Sequence, residues 1–307
     1  MGDFLTRLQK EVVIFDGAMG TMLQAEGLLP GECAELWNIE RPEIVQKIHR
    51  AYFEAGAQVV ETNTFGANPI KLAAIGLEGR THELNCQGAR LAKEVAPPGG
   101  LVAGSVSPTG KFLEPLGDLT YPQLVEIYKA QIAALAEGGA DLICIETMSD
   151  IEETAAAIQA ARAVCSLPVI ATMTFNLDAI GFRTIMGISP EIAAIRLKRE
   201  GVDIIGSNCG QGMEEMILLM KQMRPLTSLP LIAQPNAGLP QLSEGKVTYP
   251  QSLEDFAQKV PELLQTGINV IGGCCGTTPE HIRLLAEKVR EEGRKKQEGA
   301  ENPASKA

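Results

Sequence analysis

Nowhere in the 307-residue sequence do about 18 apolar residues follow one another, the length a membrane-spanning helix needs. The opening MGDFLTRLQKEVVIF carries acidic side chains and no long apolar run with a cleavage site, so no secretion signal is expected. Basic residues are scarce as well. Against 38 Asp and Glu stand 27 Lys and Arg, a net charge of -11, which disfavours nucleic acid and anionic membranes as partners. Aromatic residues make up only 4% of the chain, with a single Trp, and there are three histidines. No Pro/Ser-rich linker divides the sequence, and no internal repeat beyond a strand and helix alternation is expected. Seven cysteines, an odd number without a secretion signal, point to free or metal-bound thiols in a reducing, cytoplasmic compartment.

Short apolar, β-branched runs are plentiful. Eight of them predict strands starting at Val12, Val59, Leu101, Asp141, Pro168, Asp203, Pro230 and Asn269. Every interval is long enough for one helix. In TYPQLVEIYKAQIAALAEGGAD, residues Leu124, Ile127, Tyr128, Ile132 and Leu135 keep to one face, and Gly138-Gly139 ends the run. Strands alternating with helices imply parallel pairing, and eight such units fit an α/β fold of the (β/α)8 TIM-barrel type as a single domain. An open doubly wound sheet is the alternative, weakened because DGAMG rather than G-x-G-x-x-G follows the first strand. The barrel is expected over residues 1–297, with 298–307 a polar, disordered tail.

In such a barrel the site lies where the strands end. Those ends read Asp16-Gly17, Glu61-Thr62-Asn63, Ser105, Glu146-Thr147, Thr174, Asn208-Cys209, Gln234-Pro235-Asn236 and Cys274-Cys275. Cys209 and the pair Cys274-Cys275, from strands six and eight, are placed to converge. Three thiolates with an open fourth position are the donor set of a catalytic Zn2+ site. A vicinal disulfide, or simple packing of small side chains, is the competing reading. Glycines around the pair, in Gly272-Gly273-Cys274-Cys275-Gly276, leave room for a metal; they also resemble a phosphate grip, though no Lys or Arg accompanies them. Asp16 and Glu146 are the acidic residues best placed to bind a substrate ammonium. Cys33, Cys86, Cys144 and Cys165 are expected to pack as small hydrophobes.

The segments DGAMGTMLQ (16–24), ETNTFGAN (61–68), SVSPTGKFLEPLGDLTY (105–121), ETMSD (146–150), GSNCG (206–210), QPNAG (234–238) and GGCCGTTPEHI (272–282) resemble the homocysteine S-methyltransferase family. The likeness is to the homocysteine-binding zinc domain of cobalamin-dependent methionine synthase and, more distantly, to betaine-homocysteine methyltransferase. It runs from about Val12 to Lys288. The resemblance implies zinc on Cys209, Cys274 and Cys275, and homocysteine as the acceptor. It further implies a substrate amino group on Asp16 and Glu146 with Gly17 beside them, and Asn236 as a possible fourth zinc ligand when substrate is absent. A metal-bound thiol ionises, and its sulfur can then attack an activated methyl group. The chain has no D-x-H-x-x-G cobalamin-ligand motif, so a methyl-corrinoid donor is expected on a separate corrinoid protein. S-methylmethionine or betaine is the alternative donor. A phosphate-binding barrel lyase and a non-catalytic metal-binding module are the readings from other classes.

Overall fold

The computed structural model describes residues 2–243 and 246–301. Eight strands, β1 (Val13–Ile14), β2 (Val59–Glu61), β3 (Leu101–Val106), β4 (Leu142–Met148), β5 (Val169–Met173), β6 (Ile204–Asn208), β7 (Leu231–Gln234) and β8 (Val270–Ile271), form one parallel sheet. Neighbours in the chain are neighbours in the sheet, and β8 pairs back onto β1. A parallel bridge from Phe15 to Val59 joins β1 to β2, so the sheet closes on itself. This is the predicted (β/α)8 barrel, and closure excludes the open sheet. One principal helix follows each strand: Pro42–Ala55, Thr81–Val95, Tyr121–Glu137, Ile151–Val164, Pro190–Arg199, Met213–Met223, Leu253–Gln265 and Pro279–Glu301. Their starts are set by local chemistry. Thr120 and Gln123 form a reciprocal capping box, and Asp150, Ser189 and Ser252 each accept a backbone N–H of the first turn.

Alternation along the strands divides the core into two shells. Val13, Phe15, Val59, Ala103, Leu142, Cys144, Ile170, Ile204, Ile232 and Val270 fill the barrel interior, joined from below by Phe4 and Leu8 near the N-terminal helix. Residues between them, such as Ile14, Val60, Val102, Ile143, Ile205, Leu231 and Ile271, pack outward against the helices. Because both faces are covered, the strands read as continuous apolar runs, which is why the sequence revealed them.

Six of the eight strands begin one residue later than predicted, and three of the displaced residues have another job. The Asp141 and Asp203 carboxylates accept from the N–H groups of Val102 and Val169, and the Asn269 Oδ1 accepts from Leu231 N, each reaching across to the preceding strand. Gln58 does the same for Ile14. Each of these four caps follows a glycine of positive φ, in Gly56-Ala57-Gln58, Gly139-Ala140-Asp141, Gly201-Val202-Asp203 and Gly267-Ile268-Asn269. The barrel floor therefore carries a short repeat before every second strand, contrary to the expectation of none.

Two further features were not anticipated. Short antiparallel hairpins, Asn176–Asp178 with Gly181–Arg183 and Gln241–Ser243 with Lys246–Thr248, rise from the loops after β5 and β7. The last helix continues to Glu301, into the segment expected to be a tail, while residues 302–307 lie outside the described residues. Among the described residues no helix is long and apolar enough to cross a membrane. Asn269 also donates through Nδ2 to Leu8 O, tying the N-terminal segment to the floor. We predict that Asn269→Ala lowers unfolding stability by about 1–3 kcal/mol in urea, by stranding these backbone groups, and leaves ligand binding at the opposite face unchanged. A variant as stable as the wild type would show the caps to be idle.

Candidate active site at the barrel mouth

The inward-facing positions change character as the strands rise. Val59 is followed two residues on by Glu61, Ala103 by Ser105, Cys144 by Glu146, Ile170 by Thr172 and Ile232 by Gln234, while β6 ends on Asn208. An apolar floor thus gives way to a polar mouth. A cavity of about 290 Å³ opens there, lined among others by Gly17, Glu35, Glu61, Phe65, Glu146, Cys209, Cys274 and Cys275.

Three carboxyls meet at the base of this cavity. Asp16, just past β1, is 1% exposed and accepts through Oδ2 from Glu61 N at 3.0 Å, while its Oδ1 has no partner. Glu61 accepts from Gln234 Nε2 at 2.8 Å. Glu146 accepts from the Ser105 hydroxyl and, at 3.1 Å, from Asn208 Nδ2. Burial, then mutual repulsion, pushes the Asp16 and Glu146 carboxyls well above the usual carboxylate range; burial raises Glu61 too. No Lys or Arg forms an ion pair with any of the three among the described residues. Such a surface invites a cation with several N–H donors and opposes a phosphate.

The thiols of Cys209, Cys274 and Cys275 all lie within 4.8 Å of one another. All seven cysteines are free, so no vicinal disulfide forms. Cys209 Sγ stands 3.8 Å from Cys275 Sγ. Two tetrahedral ligands about 2.3 Å from a zinc ion lie about 3.8 Å apart, so this spacing fits a metal. Asn236 Oδ1 is buried and without a partner, an oxygen available to a fourth position. Hydrogen bonds from the other two thiols lower Cys209 to about 3. Bonding to Cys209 holds the Cys274 proton on and raises Cys275 to about 11.

Backbone stitching places these sulfurs. Cys209 N donates to Gln234 O, Cys274 N to Pro235 O, and Ala237 N to Cys275 O, so the loops after β6, β7 and β8 form one unit. Cys209 adopts φ 59°, a left-handed conformation unusual for a residue with a Cβ. Thr147 has φ 60° and is pinned by Asn208, which accepts Thr147 N at 2.8 Å and donates to its hydroxyl at 2.8 Å. A side chain at Gly17 would come within 2.6 Å of the Thr277 hydroxyl, which itself donates to Cys274 O.

The sequence profile described as homocysteine S-methyltransferase matches residues 13–289. The chain belongs to the homocysteine S-methyltransferase family. It is 35% identical to a methionine synthase of Mycobacterium tuberculosis and 33% identical to one of Mycobacterium leprae. Each match covers 94% of this chain, which spans only 25% of the mycobacterial proteins' length. The metallated homocysteine methyltransferase MmuM from Escherichia coli superimposes with a TM-score of 0.77 at 27% identity, covering 92% of this chain and 98% of that one.

Of the residues singled out in the sequence, Gly17, Glu146, Cys209, Cys274 and Cys275 line this mouth of the homocysteine S-methyltransferase barrel, Asp16 sits behind the lining, and Asn236 lies against Cys209. Glu61 and Asn208 were noted only as strand ends, and Tyr249, whose hydroxyl bonds to Cys275 and whose ring covers Gly276, lies in a loop with no periodic signal. The raised Asp16 carboxyl has a measurable consequence. Its native pKa exceeds the unfolded value, so the native state holds a proton that the unfolded chain has lost, and stability falls as pH rises above the ordinary carboxylate range. Relative to wild type, metal-free Asp16→Asn should gain stability with rising pH, by up to about 1.4 kcal/mol per unit, in urea titrations from pH 4.5 upward. A difference independent of pH would refute the assignment.

Proposed function

We propose that this barrel methylates homocysteine at sulfur, with zinc held by Cys209, Cys274 and Cys275. The observation that carries the proposal is the three-thiol cluster, spaced for a tetrahedral metal, at the same mouth as carboxyls that form no ion pair among the described residues, Lys71 acting on Glu146 only from a distance. Asn208 Nδ2 lies 3.1 Å from Glu146 Oε2 and 3.7 Å from Cys274 Sγ, so the two ends of the site are one side-chain amide apart. That separation suits an amino acid with two methylenes between its α-carbon and its thiol.

When bound, zinc would supply Lewis acidity that ionises the acceptor thiol near neutral pH. The chain's own residues do the rest. Asp16 and Glu146 orient the amino group, Gly17 leaves room beside them, and Asn236 offers its oxygen to the metal before substrate arrives. Methyl transfer forms the new sulfur–carbon bond as the donor's bond to the methyl breaks, its electron pair leaving with the donor. The thiol proton goes to solvent.

The donor we assign is a methyl-corrinoid carried by a partner protein. The identity with methionine synthases supports this, as does the scarcity of ring faces for an onium cage: among the described residues Phe65 is the one aromatic side chain lining the cavity, with Tyr249 bonded to Cys275 beside it. Exposed apolar residues on the surrounding loops, including Phe112, Leu116, Leu177, Ile180 and Leu239, offer a protein surface somewhere to dock. Free thiols of this kind persist in a reducing cytoplasm, where we place the protein.

Purified protein prepared with zinc should carry about one ion per chain by elemental analysis, and Ser at Cys209, Cys274 or Cys275 should lower that content. Full zinc in all three variants would sink the site. Asp16→Asn and Glu146→Gln should retain zinc yet weaken homocysteine binding about 10- to 150-fold by calorimetry. For the donor, methylcobalamin, free or protein-bound, is expected to yield methionine with a change in the cobalamin spectrum. Turnover with S-methylmethionine or betaine alone would overturn the donor assignment and spare the acceptor site.

A further inference from the structure

Each carboxylate oxygen of Glu146 already accepts one hydrogen bond, from Ser105 and from Asn208, which leaves one lone pair on each. An ammonium ion brings three N–H donors and needs acceptors that are free. Two buried carboxyl oxygens of the mouth have no hydrogen-bond partner: Asp16 Oδ1 and Glu61 Oε1. Of these two residues only Glu61 lines the cavity; Asp16 sits behind it, its Oδ2 bound to the Glu61 backbone. Gln234 holds the other Glu61 oxygen, with the weakly donating Cys144 thiol beside the carboxyl, so the free oxygen has a fixed place.

We propose that Glu61 is a substrate-binding residue, the third carboxyl of the ammonium site and the one that makes the site select an α-amino thiol. The proposal rests on homocysteine being the acceptor. It adds a contact that neither Asp16 nor Glu146 supplies, and it gives the buried, unpartnered oxygen a donor. The groups facing Glu61 are Asp16, Glu146, Cys144 and Gln234, none of them cationic, so the substrate's amino group is the positive charge that completes the cluster.

The test compares two thiols on the zinc-loaded full chain by calorimetry: homocysteine, and γ-mercaptobutyrate, which has the same thiol and carboxylate and no amino group. Wild type should prefer homocysteine. Glu61→Gln should lose at least about tenfold in homocysteine affinity and keep its affinity for the deaminated thiol, erasing most of the preference. Glu61→Asp, which keeps the charge but shortens the reach by one methylene, should show the same selective loss to a smaller degree; it carries the test if the Gln variant fails to fold or to hold zinc. Equal losses for both thiols would mean that Glu61 only positions Gln234 and would overturn the proposal, as would unchanged homocysteine affinity in both variants. Wild-type protein that binds neither thiol would overturn the acceptor reading, and this inference with it.

Discussion

A closed parallel barrel forces every second residue of every strand into one enclosed column, and the active site depends on that constraint. Side chains near the floor are apolar because nothing there can hydrogen-bond them; those at the top are polar because the mouth is where solvent, loops and ligands can. Parallelism adds the second half. All eight strands end on the same side, so cysteines separated by about 65 residues of chain become neighbours without any dedicated structure to bring them together.

The mouth is maintained at a cost to stability. Three carboxyls without counter-ions, two non-glycine residues in the left-handed region and several unsatisfied buried oxygens are concentrated within one cavity. Left-handed residues alone cost roughly 1–3 kcal/mol each. The rest of the barrel offsets this through the two apolar shells and the caps on its floor. Stability and chemistry are thus divided between opposite ends of the same strands, with the floor capped and the mouth keeping unpaired oxygens on Asp16, Glu61 and Asn236.

Much of this was legible in the sequence, for identifiable reasons. Strands covered on both faces are continuous apolar runs, so all eight starts were located to within a residue. Cys209, Cys274 and Cys275 stood out because thiols at strand ends have few structural uses. Glu61 was harder to recognise, since its direction depends on the register that carries Val59 into the interior, and register is a property of the paired sheet. The floor caps escaped notice because each is a three-residue pattern in which Gln, Asp and Asn interchange, visible as a repeat only once their partners are seen. The hairpins after β5 and β7 are three-residue strands, too short for any period to emerge.

Asn208 joins the two halves of the site through a mismatch in numbers. Its side-chain nitrogen carries two hydrogens but stands within reach of three acceptors, on Glu146, Thr147 and Cys274. Two hydrogens can serve three acceptors only if one of them is shared. A ligand that took over the Glu146 oxygen would free an N–H for the sulfur of Cys274, and an occupant drawing on that sulfur would change what is left for Glu146. Whatever free energy passes one way must pass the other in equal amount, so through this amide filling either end of the pocket would change affinity at the other by the same factor.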